Sequence, residues 1–509
     1  MARGEFWLLL SVATSVFATS SRPCASRDFG HGSVVCVCNA TYCDEVELLG
    51  EVTAGNAVVF TSSKSGRRLE RSVLTSSSSS PGNALKYTVN TATKMQTMMG
   101  FGAAFTDAVG INLVRLPPAM QDQILSQYFS PSGHGYTIGR VPMASTDFST
   151  HEYSYDDIPL DFDWLHFNLT AEDFLYKIPF ISKAIQLTND SLNLFASPWS
   201  APGWMKPSGH MKGGGSLLGD PSGPYYVSWA NYFVKFFEAY HAQGIDFWGL
   251  TVQNEPMSGA DPNYPWQTMY FSAAMERDFV KNHLGPALKA SSLTKDLKTF
   301  RAKLQILKDP LAAQYVSGIA MHWYEDWAVP ATVLSVTHAR HPDYFILATE
   351  ACTAYLPGQA KPILGDWDRA EQYANDVIQD VENWVSGWVD WNFVLDMQGG
   401  PNWVNNTVDS PIIVNADAVE YYKQPMWHAL GHFSRFVKPG AVRVELNVSK
   451  KNSDLEGVAF LNEDGTKTVV LLNKSLKNSD PITVSDSSSS DNVYSIALEP
   501  SSIVTIVFR

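Results

Sequence analysis

The sequence is poor in cysteine, in charged side chains and in long apolar runs. Only five of its 509 residues are cysteine and 17% are charged, whereas 45% are apolar. Lysine and arginine number 37 against 51 acidic residues, and the net charge of −14 argues against nonspecific nucleic-acid binding. After residue 20 no apolar run is long enough to span a bilayer. The composition instead predicts a large buried core.

The signatures of phosphate, dinucleotide and zinc chemistry are also missing. The sequence contains no Gly-rich loop of the Walker form and no HExxH zinc helix. Gly100-Phe101-Gly102 lacks the rest of a dinucleotide fingerprint. His322 is interpreted as a packed residue, or as one that supports other residues of a site, rather than as a metal ligand. These absences make phosphate, dinucleotide and zinc chemistry the weaker interpretations.

The segment 1–20 has the composition of a secretory signal peptide. Arg3 gives a weak positive start, Phe6–Phe17 is mostly apolar, and the small residues 18–20 offer a cleavage point. Its removal would leave a soluble chain in the secretory pathway. The isoelectric point near 5.3 suits an acidic lumen such as the lysosome.

Four of the five cysteines lie in one short stretch after this segment. An even cluster in a secreted chain indicates two disulfide bonds. Zinc is the rival interpretation, although no paired CxxC spacing is present. The fifth cysteine, Cys352, is expected to be free. The clustered residues are Cys24, Cys36, Cys38 and Cys43.

Six N-x-S/T sequons add to the signs of secretion. Each is a weak motif alone, but six in a secreted chain predict that some carry glycans. The acceptors are Asn39, Asn168, Asn189, Asn405, Asn447 and Asn473.

Both ends of the chain alternate apolar and polar residues in the manner of antiparallel strands. Ala57–Tyr87 has this pattern, and so has Arg443–Arg509, in which Asn462–Gly465 is a hairpin signal. We expect the two pieces to pair into one β-sandwich.

The long middle segment alternates short apolar runs with helix-length segments. This pattern predicts a (β/α)8 TIM barrel, in which the carboxyl ends of the strands form the active site. A fifth strand is not obvious between Ala290 and Gly318; Lys303–Leu307 could be that strand or a helix. The other candidate strands end at Gly102, Pro142, Trp199, Glu255, Tyr324, Glu350 and Trp391.

The apolar runs that we count as strands four and seven each end in one acidic residue. Glu255 ends one run and Glu350 ends the other, so both side chains can face one cleft. Paired carboxylates that flank a bond are the usual apparatus of glycoside hydrolysis. One must be protonated while the other is ionised, which burial and neighbouring charges can arrange. Each acid could instead cap a strand and pair with an arginine, but the two together favour the catalytic interpretation.

Polar and aromatic residues at the other strand ends fit a sugar site. Asn254 precedes Glu255, and Arg140 and Asp147 lie at and just after the end of strand two, where they form either a salt bridge or hydrogen bonds to sugar hydroxyls. A single aromatic residue is more often core than ligand platform, but a cluster favours a stacking wall. The aromatic residues are Trp199, Trp323, Tyr324 and Trp391.

These residues resemble the lysosomal acid β-glucosidases (glucosylceramidases) of glycoside hydrolase family 30. The likeness runs from Cys24 to the C-terminus. Asn-Glu-Pro alone is shared by many barrel glycosidases, but the whole set of stretches in this order is highly specific. The stretches are Ser33–Cys43, Arg140–Ser145, Ser197–Trp199, Asn254–Pro256, His322–Tyr324 and Gly399–Val404.

The resemblance implies a retaining β-glucosidase that hydrolyses glucosylceramide to glucose and ceramide in sphingolipid catabolism. Glu255 would be the acid/base, Glu350 the nucleophile, and Asn254 the ligand of the sugar 2-hydroxyl. Tyr324 would hydrogen bond near the nucleophile. The glucose would be positioned by Arg140, Asp147, Trp199 and Trp391, with Tyr264 and Trp266 on loops at the mouth.

The resemblance also implies the disulfide pairs Cys24–Cys36 and Cys38–Cys43, and a barrel with two small β domains. The implied partners are glucosylceramide in membranes, an anionic lipid surface, a saposin-type activator and a lysosomal sorting receptor, with no metal and no cofactor. The expected domains are a disulfide-containing β domain at 21–49 plus 392–424, a β-sandwich at 50–95 plus 441–509, and a barrel at 96–391 plus 425–440.

The chain departs from the family pattern at the fifth barrel unit, where the family's acid-rich loop is absent. Lys295–Lys303 runs almost directly into the following helix-like segment, so the fifth strand is expected to be shortened or missing. Loss of a strand would break two hydrogen-bonded ladders of the barrel. Two alternatives to an active glucosylceramidase therefore stay open. One is a non-catalytic or weakly active secreted glucoside-binding homologue, and the other is a related glycosidase for another β-glucoside or a xyloside.

Overall fold

The structure is a computed structural model. The signal peptide predicted at 1–20 lies outside the residues it describes. None of the described helices is both long enough and apolar enough to cross a bilayer. The described residues are 22–78, 81–301, 304–356, 358–359 and 361–509.

The described residues form strands β1–β22 and helices α1–α10. The strands are β1 (Ser26–Asp28), β2 (Val34–Asn39), β3 (Asn56–Ser63), β4 (Glu70–Thr75), β5 (Leu85–Thr97), β6 (Gly100–Ala104), β7 (Ile138–Met143), β8 (Asn193–Pro198), β9 (Gly249–Thr251), β10 (Lys298–Arg301), β11 (Gly318–His322), β12 (Phe345–Glu350), β13 (Val385–Asn392), β14 (Val394–Asp396), β15 (Ile412–Asn415), β16 (Glu420–Lys423), β17 (Val442–Val448), β18 (Leu455–Leu461), β19 (Lys467–Asn473), β20 (Asp480–Asp486), β21 (Ser489–Leu498) and β22 (Ser502–Phe508). The helices are α1 (Asp107–Val114), α2 (Pro118–Phe129), α3 (Ile178–Leu187), α4 (Pro224–His241), α5 (Ala273–Phe279), α6 (Gly285–Ala290), α7 (Pro310–Ala313), α8 (Thr332–Arg340), α9 (Trp367–Glu382) and α10 (Pro425–Ser434).

Eight parallel strands, β6 to β13, close a barrel in chain order, with β13 paired back to β6. The strands read as apolar runs because they are buried on both faces, by side chains inside the barrel and by helices outside it. Every residue of β7 and of β13 is buried. The predicted TIM barrel is confirmed.

The barrel closes through a short fifth strand. β10 pairs with β9 on one side, Phe300 opposite Thr251, and with β11 on the other, Phe300 opposite Gly318. The strand was expected to be shortened or missing; the first alternative is confirmed and the second is wrong. Lys303–Leu307 is not this strand, and the alternative of a helix fits the structure, because Leu304–Lys308 forms a 3₁₀-helix; Lys303 itself lies outside the described residues.

Phe300 anchors the short strand to the barrel interior. It is fully buried in one cluster with Phe195 of β8 and Leu347 of β12. Its ring centroid lies 4.9 Å from that of Trp248 and 5.2 Å from that of Phe345. Side chains from strands all round the barrel therefore hold β10 in place.

The N-terminal segment belongs to a small sheet of order β1-β2-β16-β15-β14. Disulfides join Cys24 to Cys36 and Cys38 to Cys43, which confirms the expected pairing. Cys352 is free and buried, as expected.

The predicted sandwich is formed by both ends of the chain. Nine strands pair in the order β21-β20-β5-β17-β18-β19-β22-β3-β4. A bridge between Ser77 and Val493 links the two ends of this sheet, so the sheet curls back on itself. The limits of the domains along the chain stay a prediction.

The sequons differ in accessibility. Asn473 is fully buried in β19, and its Nδ2 donates to the carbonyls of Asn478 and Glu499. This burial argues against a glycan on Asn473 in the folded chain, and the assignment of the six acceptors stays a prediction. The other acceptors are exposed or half-buried: Asn39, Asn168, Asn189, Asn405 and Asn447.

Replacement of Phe300 by Ala should destabilise the protein by about 3–5 kcal/mol, since it leaves a cavity where β10 joins the barrel interior. Denaturant unfolding of the full chain measures this loss. The matched control is Phe174→Ala, at a phenylalanine that is 47% exposed, which should cost little. A Phe300→Ala protein as stable as the control would show that β10 is not held by the core.

Candidate active site

A cavity of about 680 Å³ opens at the carboxyl ends of the barrel strands. The predicted residues that line it are Arg140, Asp147, Trp199, Asn254, Glu255, Trp266, Tyr324, Glu350 and Trp391. Tyr264 does not line it but packs its ring 4.5 Å from that of Trp266. Trp323 lies in the core instead, where its indole donates to the carbonyl of Cys352. The structure thus brings nine of these eleven candidate residues into one cleft.

Glu350 is the last residue of β12 and is almost completely buried. Its Oε2 accepts a hydrogen bond from Nη1 of Arg140, and its Oε1 accepts one of 2.8 Å from the hydroxyl of Tyr324. Burial and the nearby Cys352 and Glu350 hold the pKa of Tyr324 well above its usual value, so this hydroxyl stays a donor. Both oxygens of Glu350 are thereby fixed in direction.

Arg140 lies at the centre of the cleft with no exposed surface. Its guanidinium also donates to Oδ1 of Asn254 at 2.8 Å and to Oγ of Ser197 at 3.1 Å. The rings of Trp199 and Trp391 stack 5.2 Å apart, and Arg140 lies 4.9 and 5.4 Å from their centroids. Stacking and hydrogen bonds together offset the cost of burying this charge.

Glu255 lies beyond the end of β9 in a strained backbone conformation, with φ at +37°. The loop is held because the amide of Asn254 donates to the carbonyl of Pro198 and that of Ser258 donates to the carbonyl of Glu255. The side chain is one-third exposed. Its Oε1 lies 2.8 Å from Nδ1 of His322.

Three effects act on the pKa of Glu255. Burial, the largest, raises it, whereas the hydrogen bond and charge of His322 and the charge of Arg140 lower it; the net pKa lies below its ordinary value. His322 therefore controls the proton affinity of this carboxyl.

The two carboxylates are close together. One oxygen of Glu255, one oxygen of Glu350 and a ring nitrogen of His322 lie within 4.8 Å of one another. Carboxyl groups of retaining glycosidases lie about 5–5.5 Å apart, whereas inverting enzymes leave about 6.5–9.5 Å for a water. The geometry therefore fits the retaining reaction.

Asp147 does not pair with Arg140 but with two asparagines. Its Oδ2 accepts hydrogen bonds from Asn402 at 3.1 Å and from Asn406 at 3.0 Å. Burial raises the pKa of Asp147 to about 7 despite these bonds, and the charges of Glu350 and Glu255 add to the rise. Asp147 thus offers a buried carboxyl to a ligand hydroxyl.

Sequence reasoning missed several residues of this cleft. His322 was interpreted only as a packed or supporting residue, whereas its Nδ1 lies 2.8 Å from Glu255 and 3.8 Å from Glu350. Asn402 and Asn406 lie far along the chain from Asp147, and only the Gly399–Val404 stretch hinted at this loop. The apolar lining formed by Met257, Phe300 and Met321 carried no signal in the sequence.

A closed βα barrel with two facing acids, an arginine clamp and stacked indoles at its strand ends defines a barrel glycoside hydrolase. Residues 98–437 match the TIM-barrel domain of glycosyl hydrolase family 30 and residues 440–506 match the β-sandwich domain of that family. The chain belongs to glycosyl hydrolase family 30.

Similar proteins agree with this assignment. The chain is 58% identical to a Caenorhabditis elegans protein named "Putative glucosylceramidase 4", over 99% of this chain and 98% of that protein. It is 43% identical to the lysosomal acid glucosylceramidase of Mus musculus, over 94% of each chain. Among solved structures, SrfJ from Salmonella typhimurium superimposes with a TM-score of 0.79 at 27% identity, over 89% of this chain and 99% of that one.

The variant His322→Gln should raise the pKa of Glu255, because it removes the histidine interactions that lower that pKa. Carboxyl resonances of ¹³C-labelled glutamate, assigned with Glu255→Gln, would follow the titration. His241→Gln, at an exposed histidine paired with Asp246, should leave this pKa unchanged. An unchanged or lower pKa of Glu255 in His322→Gln would contradict the assigned contact.

Proposed function

We propose that the chain is a retaining β-glucosidase that hydrolyses glucosylceramide to glucose and ceramide. The observation that carries this proposal is the close pair of carboxylates, Glu255 and Glu350, at the mouth of a family 30 barrel. The names of the worm and mouse relatives support the choice of glucosylceramide as substrate. The closed barrel removes the reason for expecting an inactive homologue.

In the proposed first step, Glu350 attacks the anomeric carbon of the glucose while protonated Glu255 donates its proton to the ceramide oxygen. The bond between sugar and ceramide breaks and a covalent glucosyl-enzyme forms. In the second step Glu255 takes a proton from water, the water oxygen attacks the same carbon, and Glu350 leaves. Two inversions give net retention of configuration.

The surroundings of the two acids support these separate roles. Arg140 and Tyr324 donate to the two carboxylate oxygens of Glu350 and hold them in position for attack. Among the described residues, the carboxyl group of Glu255 hydrogen bonds with His322 alone, and it is partly exposed, so protons and water can reach it. We assign the binding of the sugar 2-hydroxyl to Asn254, and the positioning of the remaining hydroxyls to Asp147, Trp199 and Trp391.

The variant Glu350→Gln should lose activity by about 10⁴-fold or more, because no covalent intermediate can form. Glu255→Gln should lose about 10²–10⁴-fold, the usual contribution of a positioned acid. Glucose release from glucosylceramide in anionic vesicles at acid pH measures both. Proton NMR of an aryl β-glucoside reaction should show β-glucose as the first product.

Different outcomes would identify different errors. Appreciable turnover by Glu350→Gln would exclude Glu350 as the nucleophile, and α-glucose as first product would exclude retention. Faster hydrolysis of a β-xyloside or a soluble oligosaccharide than of glucosylceramide would keep the mechanism but replace the substrate.

The proposal extends to a lipid surface at the cleft mouth. Trp327, in the loop after the cleft residue Tyr324, is 75% exposed, and Met257 at the cleft is 56% exposed. Exposed apolar side chains at such a site suit contact with the membrane that holds ceramide. A saposin-type activator, a lysosomal sorting receptor and location in the lysosome lumen belong to the same proposal, and the mouse relative's name supports the lysosome.

The variant Trp327→Ser should weaken binding to anionic vesicles and slow hydrolysis of glucosylceramide several-fold, while hydrolysis of a soluble aryl β-glucoside stays unchanged. Vesicle sedimentation and the two assays measure these effects. Leu165→Ser, at a leucine that is 80% exposed elsewhere on the surface, is the matched control. Equal vesicle binding by the two variants would place the lipid contact elsewhere.

A further inference from the structure

Three aspartates cluster beside the active-site loop without taking part in the cleft. Asp326 lies in the loop after β11, and Asp376 and Asp380 lie one turn apart on α9. One carboxylate oxygen from each lies within 4.8 Å of the others. None of the three lines the catalytic cavity.

The cluster lacks a basic partner. In the part of the chain that the structure describes, no lysine, arginine or histidine forms an ion pair with any of the three. Asp376 accepts a hydrogen bond of 2.8 Å from the indole of Trp388. Asp380 is only 1% exposed, and its Oδ2 has no hydrogen-bond partner. Burying an unpaired carboxylate costs free energy, and a positive charge beside it would offset that cost.

Shared protons would satisfy only part of this cluster. A protonated Asp376 can hydrogen bond to Asp326, and burial together with its two neighbours raises the pKa of Asp376 well above its ordinary value. That arrangement still leaves Oδ2 of Asp380 without a donor. A cation between the three side chains would contact all of them at once.

The donor set indicates which cation. Three carboxylates offer only hard oxygen ligands, which calcium prefers, and calcium tolerates irregular geometry with waters in its remaining positions. Asp326 is exposed, so water can reach that side of the cluster. The indole of Trp388 would orient Asp376 from behind, as partners of metal ligands usually do.

We propose that Asp326, Asp376 and Asp380 bind a calcium ion that fastens the loop after Tyr324 to α9. The loop is already a tight turn, since the amide of Asp326 donates to the carbonyl of Trp323. Tyr324, two residues before Asp326, donates to Glu350. The ion thus steadies a loop that carries a hydroxyl of the cleft.

Metal ligation needs the ionised form of a carboxylate, so protons compete with calcium at all three side chains.

Terbium luminescence of the full secreted chain tests the proposal, since Trp388 lies beside the site and can transfer excitation to the bound ion. After treatment with EDTA, terbium should give saturable emission at pH 7 that calcium chloride displaces. Asp380→Asn and Asp326→Asn should weaken binding by about 10-fold or more. Asp368→Asn, at an exposed position of α9, should bind like the parent chain.

Thermal unfolding gives the second measurement. Calcium should raise the melting temperature of the parent chain and of Asp368→Asn at pH 7, but not that of Asp380→Asn. Asp326→Asn lies on an exposed loop and provides a folded variant if the buried substitution fails to fold. The proposal would be overturned if calcium left the melting temperature of the parent chain unchanged. It would also be overturned if Asp380→Asn bound terbium as tightly as the parent chain does. If Asp380→Asn raises the melting temperature in the absence of calcium, the cluster is held by shared protons instead of by a calcium ion.

Discussion

The buried pair of Arg140 and Glu350 is the constraint on which the rest of the cleft depends. A guanidinium with no exposed surface is tolerated only where its charge and donors are matched. Glu350 from β12 supplies the charge, Ser197 from β8 and Asn254 beyond β9 supply acceptors, and indoles cover its faces. These groups come from strands on several sides of the barrel. A shift in the register of these strands would take partners away from the buried charge of Arg140. The arrangement of the cleft therefore depends on the strand register of the barrel.

These groups can meet in the cleft only because the barrel is closed, and two of the strands that close it are very short. β9 has three residues and β10 has four, yet each pairs on both sides. The interior cluster around Phe300 compensates for the few hydrogen bonds of β10, since burial of a large ring contributes more than one ladder bond. The same ring also contributes to the lining of the cavity.

The sequence predicts features that repeat or that follow a long pattern. For this reason the sequence predicted the βα alternation, the terminal β segments and the two acids after apolar runs. The pairing of the cysteines was predicted from the family resemblance. β10 was not readable, because the four residues Lys298–Arg301 have no apolar run around them. The contacts of Asp147 with Asn402 and Asn406 join positions more than 250 residues apart. The burial of Asn473 was also hidden, since a sequon in a strand looks the same whether the strand is covered or exposed.

The unequal surroundings of Glu255 and Glu350 explain how one cleft can run both halves of a displacement reaction. Glu350 is fixed by two donors, whereas the pKa of Glu255 is set by burial, which raises it, and by His322 and the charge of Arg140, which lower it. Burial is already the largest influence on the pKa of Glu255, and it raises that pKa. A sugar that fills the cleft and expels water strengthens this influence, so we expect the carboxyl to gain its proton when substrate binds. Departure of the aglycone readmits water and reverses the effect, which lets the same group act as a base.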